Sequence, residues 1–236
     1  MQVVRYAKLS MPIDVRAVQA ELLNAGDKWQ PHLNTYHYTG SWNVLPLRSP
    51  GGSHTNVVPD LMGQSEYADT IYMEQFPVVS RFVSSIQCPV MSVRFLNLQA
   101  GAIIKQHQDL QLSLEQGEAR LHFPVITNPL VEFYCEDERI VLNEGECWYL
   151  NANLNHRVSN NSDSDRIHLV VDCKVNDWIT NLIYTSPQVS FKKEAVDDNL
   201  LNLIKHLRLQ NTETSNKLAD ELDEKAVRLM AENAGG

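Results

Sequence analysis

The stretch His107-Gln108-Asp109 sets an imidazole and a carboxylate two residues apart, and a second candidate imidazole, His156, follows much later in the chain. On a β-strand, side chains at i and i+2 leave the same face, so His107 and Asp109 are expected on one strand, aimed at one point. His156, from a distant strand, would complete a set of three. Two imidazoles and one carboxylate on one face of an octahedron leave the other positions open for a bidentate oxo acid and O2, the pattern of non-haem Fe(II) oxygenases. A structural zinc would instead require a closed tetrahedral shell. A His-x-Asp match is weak by itself, since eight histidines yield one by chance with odds of roughly one in three. Only His107 begins such a motif, however.

Two arginines add weight. Arg120 and His122 share one face of ARLHFPV, and Arg166 and His168 share one face of RIHLVVD. An inward, unpaired guanidinium costs several kcal/mol. Few inward acids are apparent in these runs, so a dicarboxylate ligand, gripped bidentately, is the expected partner. His168 is read as a satisfied interior histidine, Trp148 and Tyr149 as core aromatics, and Gly145 as a turn glycine at positive φ. Trp42 and Arg48 are candidates for substrate contact at the barrel mouth, with a solvated loop arginine weighing equally for Arg48.

These residues need a scaffold. From Met91 onward, short β-branched or aromatic runs alternate with turn residues, the pattern of an antiparallel barrel rather than a βαβ sheet. The fold class expected is mainly β: a double-stranded β-helix (jelly roll, cupin-like) with flanking N-terminal and C-terminal helices. The spacing gives helices over Val15 to Asn24, stopped at Gly26, and over Phe76 to Ile86, with Pro77 in the first turn. Trp42 to Leu47 reads as a short strand running into a loop at Pro50-Gly51-Gly52, and Pro46 within it argues for a sheet edge. Residues 1–186 are expected to form the oxygenase domain with its N-terminal helices. Residues 187–236 form a helical extension (Val196 to Leu209, Lys217 to Ala234) that packs on the barrel or forms a homodimer contact.

At 236 residues the chain can bury a sizeable core. A net charge of -9 leaves no basic stripe for nucleic acid. The start lacks a signal-peptide core and no stretch is long enough to cross a bilayer, so no membrane partner and a cytoplasmic location are expected. Cys88, Cys135, Cys147 and Cys173 lie in apolar runs without CxxC spacing and read as buried thiols.

The run from HQD through RLHFPVITN, FYCEDERIVLNEGECWYLN, NHRVSN and RIHLVVD resembles the aspartyl/asparaginyl β-hydroxylase family, including its bacterial free-proline hydroxylases, over about Val93 to Cys173. The resemblance implies a jelly-roll enzyme using Fe(II), 2-oxoglutarate and O2. It makes His107, Asp109 and His156 the metal ligands and Arg166, ten residues after His156, the anchor of the distal carboxylate of 2-oxoglutarate. Arg120 and His122 match the pair that contacts the co-substrate near the metal. The membrane-anchored animal members lack the carboxylate ligand; retention of Asp109 sets this chain nearer the bacterial ones and favours a free amino acid or short peptide as substrate. A peptidyl aspartyl/asparaginyl hydroxylase is the alternative within the class. Outside it stand a metal-dependent cupin isomerase or hydrolase, which would have no need of Arg166, and a non-catalytic binding module.

Overall fold

A computed structural model describes residues 2–23, 26, 28–55, 66–192 and 198–234. The elements run β1 (Val4–Leu9), α1 (Val15–Leu22), β2 (Gln30–Pro31), β3 (Tyr38–Thr39), β4 (Trp42–Pro50), β5 (Tyr67–Asp69), α2 (Pro77–Ser84), β6 (Val90–Leu98), β7 (Ile103–His107), β8 (Glu118–Ile126), β9 (Val131–Cys135), β10 (Glu138–Ile140), β11 (Cys147–Leu150), β12 (His156–Asn160), β13 (Arg166–Lys174), α3 (Asp177–Tyr184), β14 (Gln188–Phe191), α4 (Asp198–Gln210) and α5 (Glu213–Ala234). A nine-stranded sheet has the order β14-β1-β11-β8-β13-β6-β4-β2, with β5 also on β4; a five-stranded sheet runs β10-β9-β12-β7-β3. From β6 to β13 the chain passes back and forth between the two sheets, with β9 and β10 paired as a hairpin. This is the double-stranded β-helix, or jelly roll.

Period-two alternation sorts the side chains of the large sheet. On β13, Ile167, Leu169, Val171 and Cys173 join the outer core, which also takes in Val18 of α1, Val79 of α2 and Ile179 and Ile183 of α3. Arg166, His168, Val170 and Asp172 take the opposite face, toward the small sheet, where Val170 packs with Trp42, Leu96, Phe133, Trp148 and Val158. With both faces covered, every β13 residue but Lys174 is buried. The helices that close the outer face are fixed at their starts. Asp14 accepts from the Ala17 amide at 3.1 Å, Asn176 from the Ile179 amide at 3.2 Å, and Pro77 opens α2.

Three sequence expectations change. β4 is not an edge strand: β6 flanks it on one side, and β2 and β5 on the other. Pro46 is tolerated because it falls between the stretches paired with β2 and β5, at a register shift against β6. β7 ends at His107, so Asp109 lies just past the strand and is placed by its own amide, which donates to the Ala152 carbonyl at 2.8 Å. β1 and β14, not expected as strands, pair with each other, and β1 also pairs with β11. The first compact unit runs through Phe191. The second unit is the α4/α5 hairpin, closed by Ile204, Ala219 and Ala226 with Leu200, Leu207 and Leu222. All four cysteines are buried free thiols, and Gly145 has φ +79. Among the described residues, no helix is long and apolar enough to cross a membrane.

Candidate active site

Strand pairing creates the site. His107 ends β7 and His156 begins β12, and the two are direct register partners with ring centroids 4.2 Å apart. One ligand atom from each of His107, Asp109 and His156 lies within 4.8 Å of the others. His107 Nδ1 donates to the Lys105 carbonyl at 2.8 Å and His156 Nδ1 to the Leu154 carbonyl at 3.0 Å. A carbonyl can only accept, so both rings carry the proton on Nδ1 and keep the Nε2 lone pair for another partner. This tautomer is the one that presents Nε2 to a metal, and the backbone carbonyls hold both rings in place. Phe133 stacks near His156, with ring centroids at 6.3 Å and planes 10° apart, and meets His122 edge-on at 6.0 Å.

The donor set is ready at neutral pH. Burial, with His107 beside it, lowers His156 to about 4, and burial also lowers His107. Burial pushes the Asp109 carboxyl upward, but the Arg120 guanidinium and the two imidazoles outweigh it and keep it ionised. Two neutral imidazoles and a carboxylate on one face suit a divalent first-row metal that takes N and O ligands and keeps open positions.

Behind the triad lies a charge network that the sequence did not disclose. Arg120 Nε donates to Asp172 Oδ1 at 2.7 Å, its Nη2 to Oδ2 at 3.1 Å, and its Nη1 to Asp109 Oδ2. Asp172 also accepts from Arg94 and from the Ser92 hydroxyl, each at 2.9 Å. Despite burial, the two guanidiniums hold the Asp172 carboxyl far below the usual range. Arg120 is thus supplied with protein carboxylates, contrary to the expectation that inward acids are scarce. Register explains it: Asp172 sits directly opposite Arg120 in the β13/β8 pair.

Arg166 differs. It is 2% exposed, its Nη2 donates to His168 Nδ1 at 2.8 Å, and its Nε has no hydrogen-bond partner. Among the described residues no carboxylate forms an ion pair with it, and burial lowers its pKa to about 9. His168 Nδ1 lies 3.5 Å from His122 Nδ1, so Arg166, His168 and His122 are contiguous. His168 is not the satisfied interior histidine expected: its buried Nε2 lacks a partner. An unmet buried donor costs about 1–3 kcal/mol.

Arg48 is occupied elsewhere. Its Nη1 donates to Asp69 Oδ1 at 2.8 Å, Nη2 to the Tyr67 carbonyl at 2.7 Å and Nε to the Val90 carbonyl at 3.2 Å. It ties β5 and β6 to β4 instead of presenting a free fork. Trp42 is buried within the inner core, stacks on His32 at 3.6 Å and leaves Nε1 without a hydrogen-bond partner. Burial lowers His32 to about 4, with Arg94 next in effect and Asp109, Arg120 and His107 also acting on it, which sets His32 beside the triad. His37 meets His107 with ring centroids 4.8 Å apart. Gly40 permits the turn between β3 and β4: its φ is +80, and a Cβ there would meet Ala102 Cβ at 2.9 Å. Sequence reasoning missed Arg94, Asp172, His32, His37 and Phe133. Asp172 carried one signal, an acid at even spacing from Arg166 on the same strand.

Residues 14–175 match the family model for aspartyl/asparaginyl beta-hydroxylase. The chain belongs to that family. Two curated members share segments with this aspartyl/asparaginyl β-hydroxylase family chain. L-proline cis-3-hydroxylase 1 of a Streptomyces species is 28% identical over 138 residues, 56% of this chain and 47% of that protein. L-proline cis-4-hydroxylase of Rhizobium meliloti is 25% identical over 160 residues, 67% of this chain and 56% of that protein. The family chain thus spans about half the length of these relatives. A prolyl-4-hydroxylase structure from Pseudomonas putida aligns with a TM-score of 0.46 at 11% identity, covering 73% of this chain and 94% of that one.

Proposed function

We propose that the chain is an Fe(II)- and 2-oxoglutarate-dependent hydroxylase of a small amino acid. Arg166 carries the reading: a fully buried guanidinium without a protein carboxylate, on the same inward face as a His-Asp-His set. An isomerase or hydrolase on this barrel has no use for it. When bound, Fe(II) and 2-oxoglutarate supply O2-dependent oxidation of a C–H bond, coupled to decarboxylation of the oxo acid.

The residues divide the remaining work. His107 and His156 offer Nε2, and Asp109 offers Oδ1, because its Oδ2 is held by Arg120. Arg166 would bind the distal carboxylate of 2-oxoglutarate, and His122, which meets both His168 and Phe133, would contact the co-substrate. Arg120 acts mainly by fixing Asp109. Trp42 and His32 form an aromatic wall on the substrate side, where Trp42 Nε1 has a hydrogen bond to give. Phe133 and the inner core would wall off the His156 side of the triad, while Asp109 keeps 35% of its side chain open to solvent.

The named activities of the two L-proline hydroxylases make L-proline and related amino acids the first substrates to try. The test is stimulated succinate release from 2-oxoglutarate across a panel of free amino acids. Stimulation by one of them, lost in His107→Ala, is expected. Release that no amino acid stimulates and that His107→Ala leaves unchanged would overturn the proposal.

A further inference from the structure

The α4/α5 hairpin is a compact unit of its own, and among the described residues its buried apolar core is Ile204, Ala219 and Ala226. Two of those three are alanines. A unit of about 40 residues with so small a core needs further apolar burial to hold its shape. The side chains for that burial are present. Arg208 bridges to Asp220 and Asp223 along one side of the hairpin. At about 100° per residue, Leu203 of α4 and Leu218 and Leu229 of α5 fall on the other side, next to the partly buried Leu207 and Leu222. Leu203 is 50% exposed and Leu218 44%. The hairpin therefore has an ion-paired side and a leucine side.

We propose that the leucine side is the contact between two copies of this chain, whose hairpins pair about a twofold axis into a four-helix bundle. The first unit is closed without the hairpin: its large sheet is covered on the outer face by α1, α2 and α3 and on the inner face by the small sheet. Its exposed large apolar residues Leu23, Ile71, Leu130 and Val141 each lie in a different connection between elements. Charge selects the occupant. Residues 199–210 hold the bases Lys205 and Arg208 and no acid, whereas residues 213–231 hold five acids and three bases. The two helices thus carry opposite net charges of equal size, which offers no field to nucleic acid or an anionic membrane. In a second copy, α5 meets α4 with complementary charge, and a twofold axis satisfies both pairings at once.

The experiment uses the full chain in sedimentation equilibrium over a range of concentrations. Wild type is expected to dimerise. Leu203→Glu and Leu218→Glu, which set like charges against each other across the axis, should each weaken the dimer at least about tenfold. Leu209→Glu, at a residue 72% exposed and turned away from α5, should leave the dimer unchanged. Amide hydrogen exchange of the wild-type chain needs no folded variant: protection in α4 and α5 should rise with protein concentration, while that of residues 1–191 stays constant. A monomeric wild type, a dimer that Leu203→Glu and Leu218→Glu leave intact, or hairpin protection independent of concentration would overturn the proposal; the last of these, with a monomer, would mean that the leucine side packs within its own chain.

Discussion

Asp109 divides its carboxylate between two neighbours: Oδ2 accepts from Arg120, while Oδ1 stands 3.8 Å from Nε2 of His107. The division decides which oxygen faces the two imidazoles. Arg120 is itself held from behind by Asp172, so a residue on β13 controls the aim of a side chain in the loop after β7.

Asp172→Asn should loosen that aim. Outer partners of metal ligands commonly matter by about 10- to 100-fold in metal affinity, and a weakening in that range is expected from Zn(II) competition titrations. Thermal stability should fall as well, because Arg94 and Arg120 lose their shared counter-charge. Unchanged metal affinity would show that Arg120 positions Asp109 without help.

Arg166→Met separates binding from stability. Affinity for 2-oxoglutarate should drop by at least about 100-fold, since losing one partner of a buried charge pair costs about 2–5 kcal/mol. The ligand-free protein should melt no lower than wild type, because the substitution removes a buried guanidinium that no protein carboxylate balances. A large loss of Tm with unchanged co-substrate affinity would make Arg166 a structural residue.

Stability of the metal-free protein should depend on pH in a defined window. Burial lowers His156 to about 4 and also lowers His107, His122 and His168. The unfolded chain takes up protons on these rings near the ordinary value of about 6.5. Between about 6.5 and 4 the unfolded state therefore binds more protons, and stability falls as the pH drops. Asp109 and Asp172, whose folded pKa values are depressed, contribute stability that is lost in turn at more acidic pH. Melting curves from pH 8 to 4 should show a plateau and then a decline beginning near 6.5; a Tm constant down to pH 5 would contradict this.

Trp42→Phe keeps most of the stacking surface against His32 and deletes the unpartnered Nε1–H. KM for the amino-acid substrate is expected to rise several-fold, with the 2-oxoglutarate requirement unchanged. Equal effects on both would place Trp42 outside the substrate wall.

The jelly roll was readable from Met91 onward because the alternation of apolar and polar residues is local. β1 and β14 escaped notice because each stands apart from the run of strands that begins at Met91 or is separated from it by a helix, and their partners lie far away in sequence. The pairing of His107 with Asp109 was legible from spacing, and His156, which the structure brings beside them, was singled out by the family resemblance. The partners of Arg120 were not, since the pairing with Asp172 depends on the β13/β8 register, which no local pattern encodes. Arg48 shows the converse: an arginine in a promising loop whose donors are taken up by Asp69, Tyr67 and Val90 only once β5 and β6 flank β4.

The most direct measurement is an anaerobic spectral titration. Adding Fe(II) and then 2-oxoglutarate to metal-free protein should produce a visible charge-transfer band that requires both additions and is absent in His107→Ala. No band with both present, together with tight Zn(II) binding, would contradict an open iron centre formed by His107, Asp109 and His156.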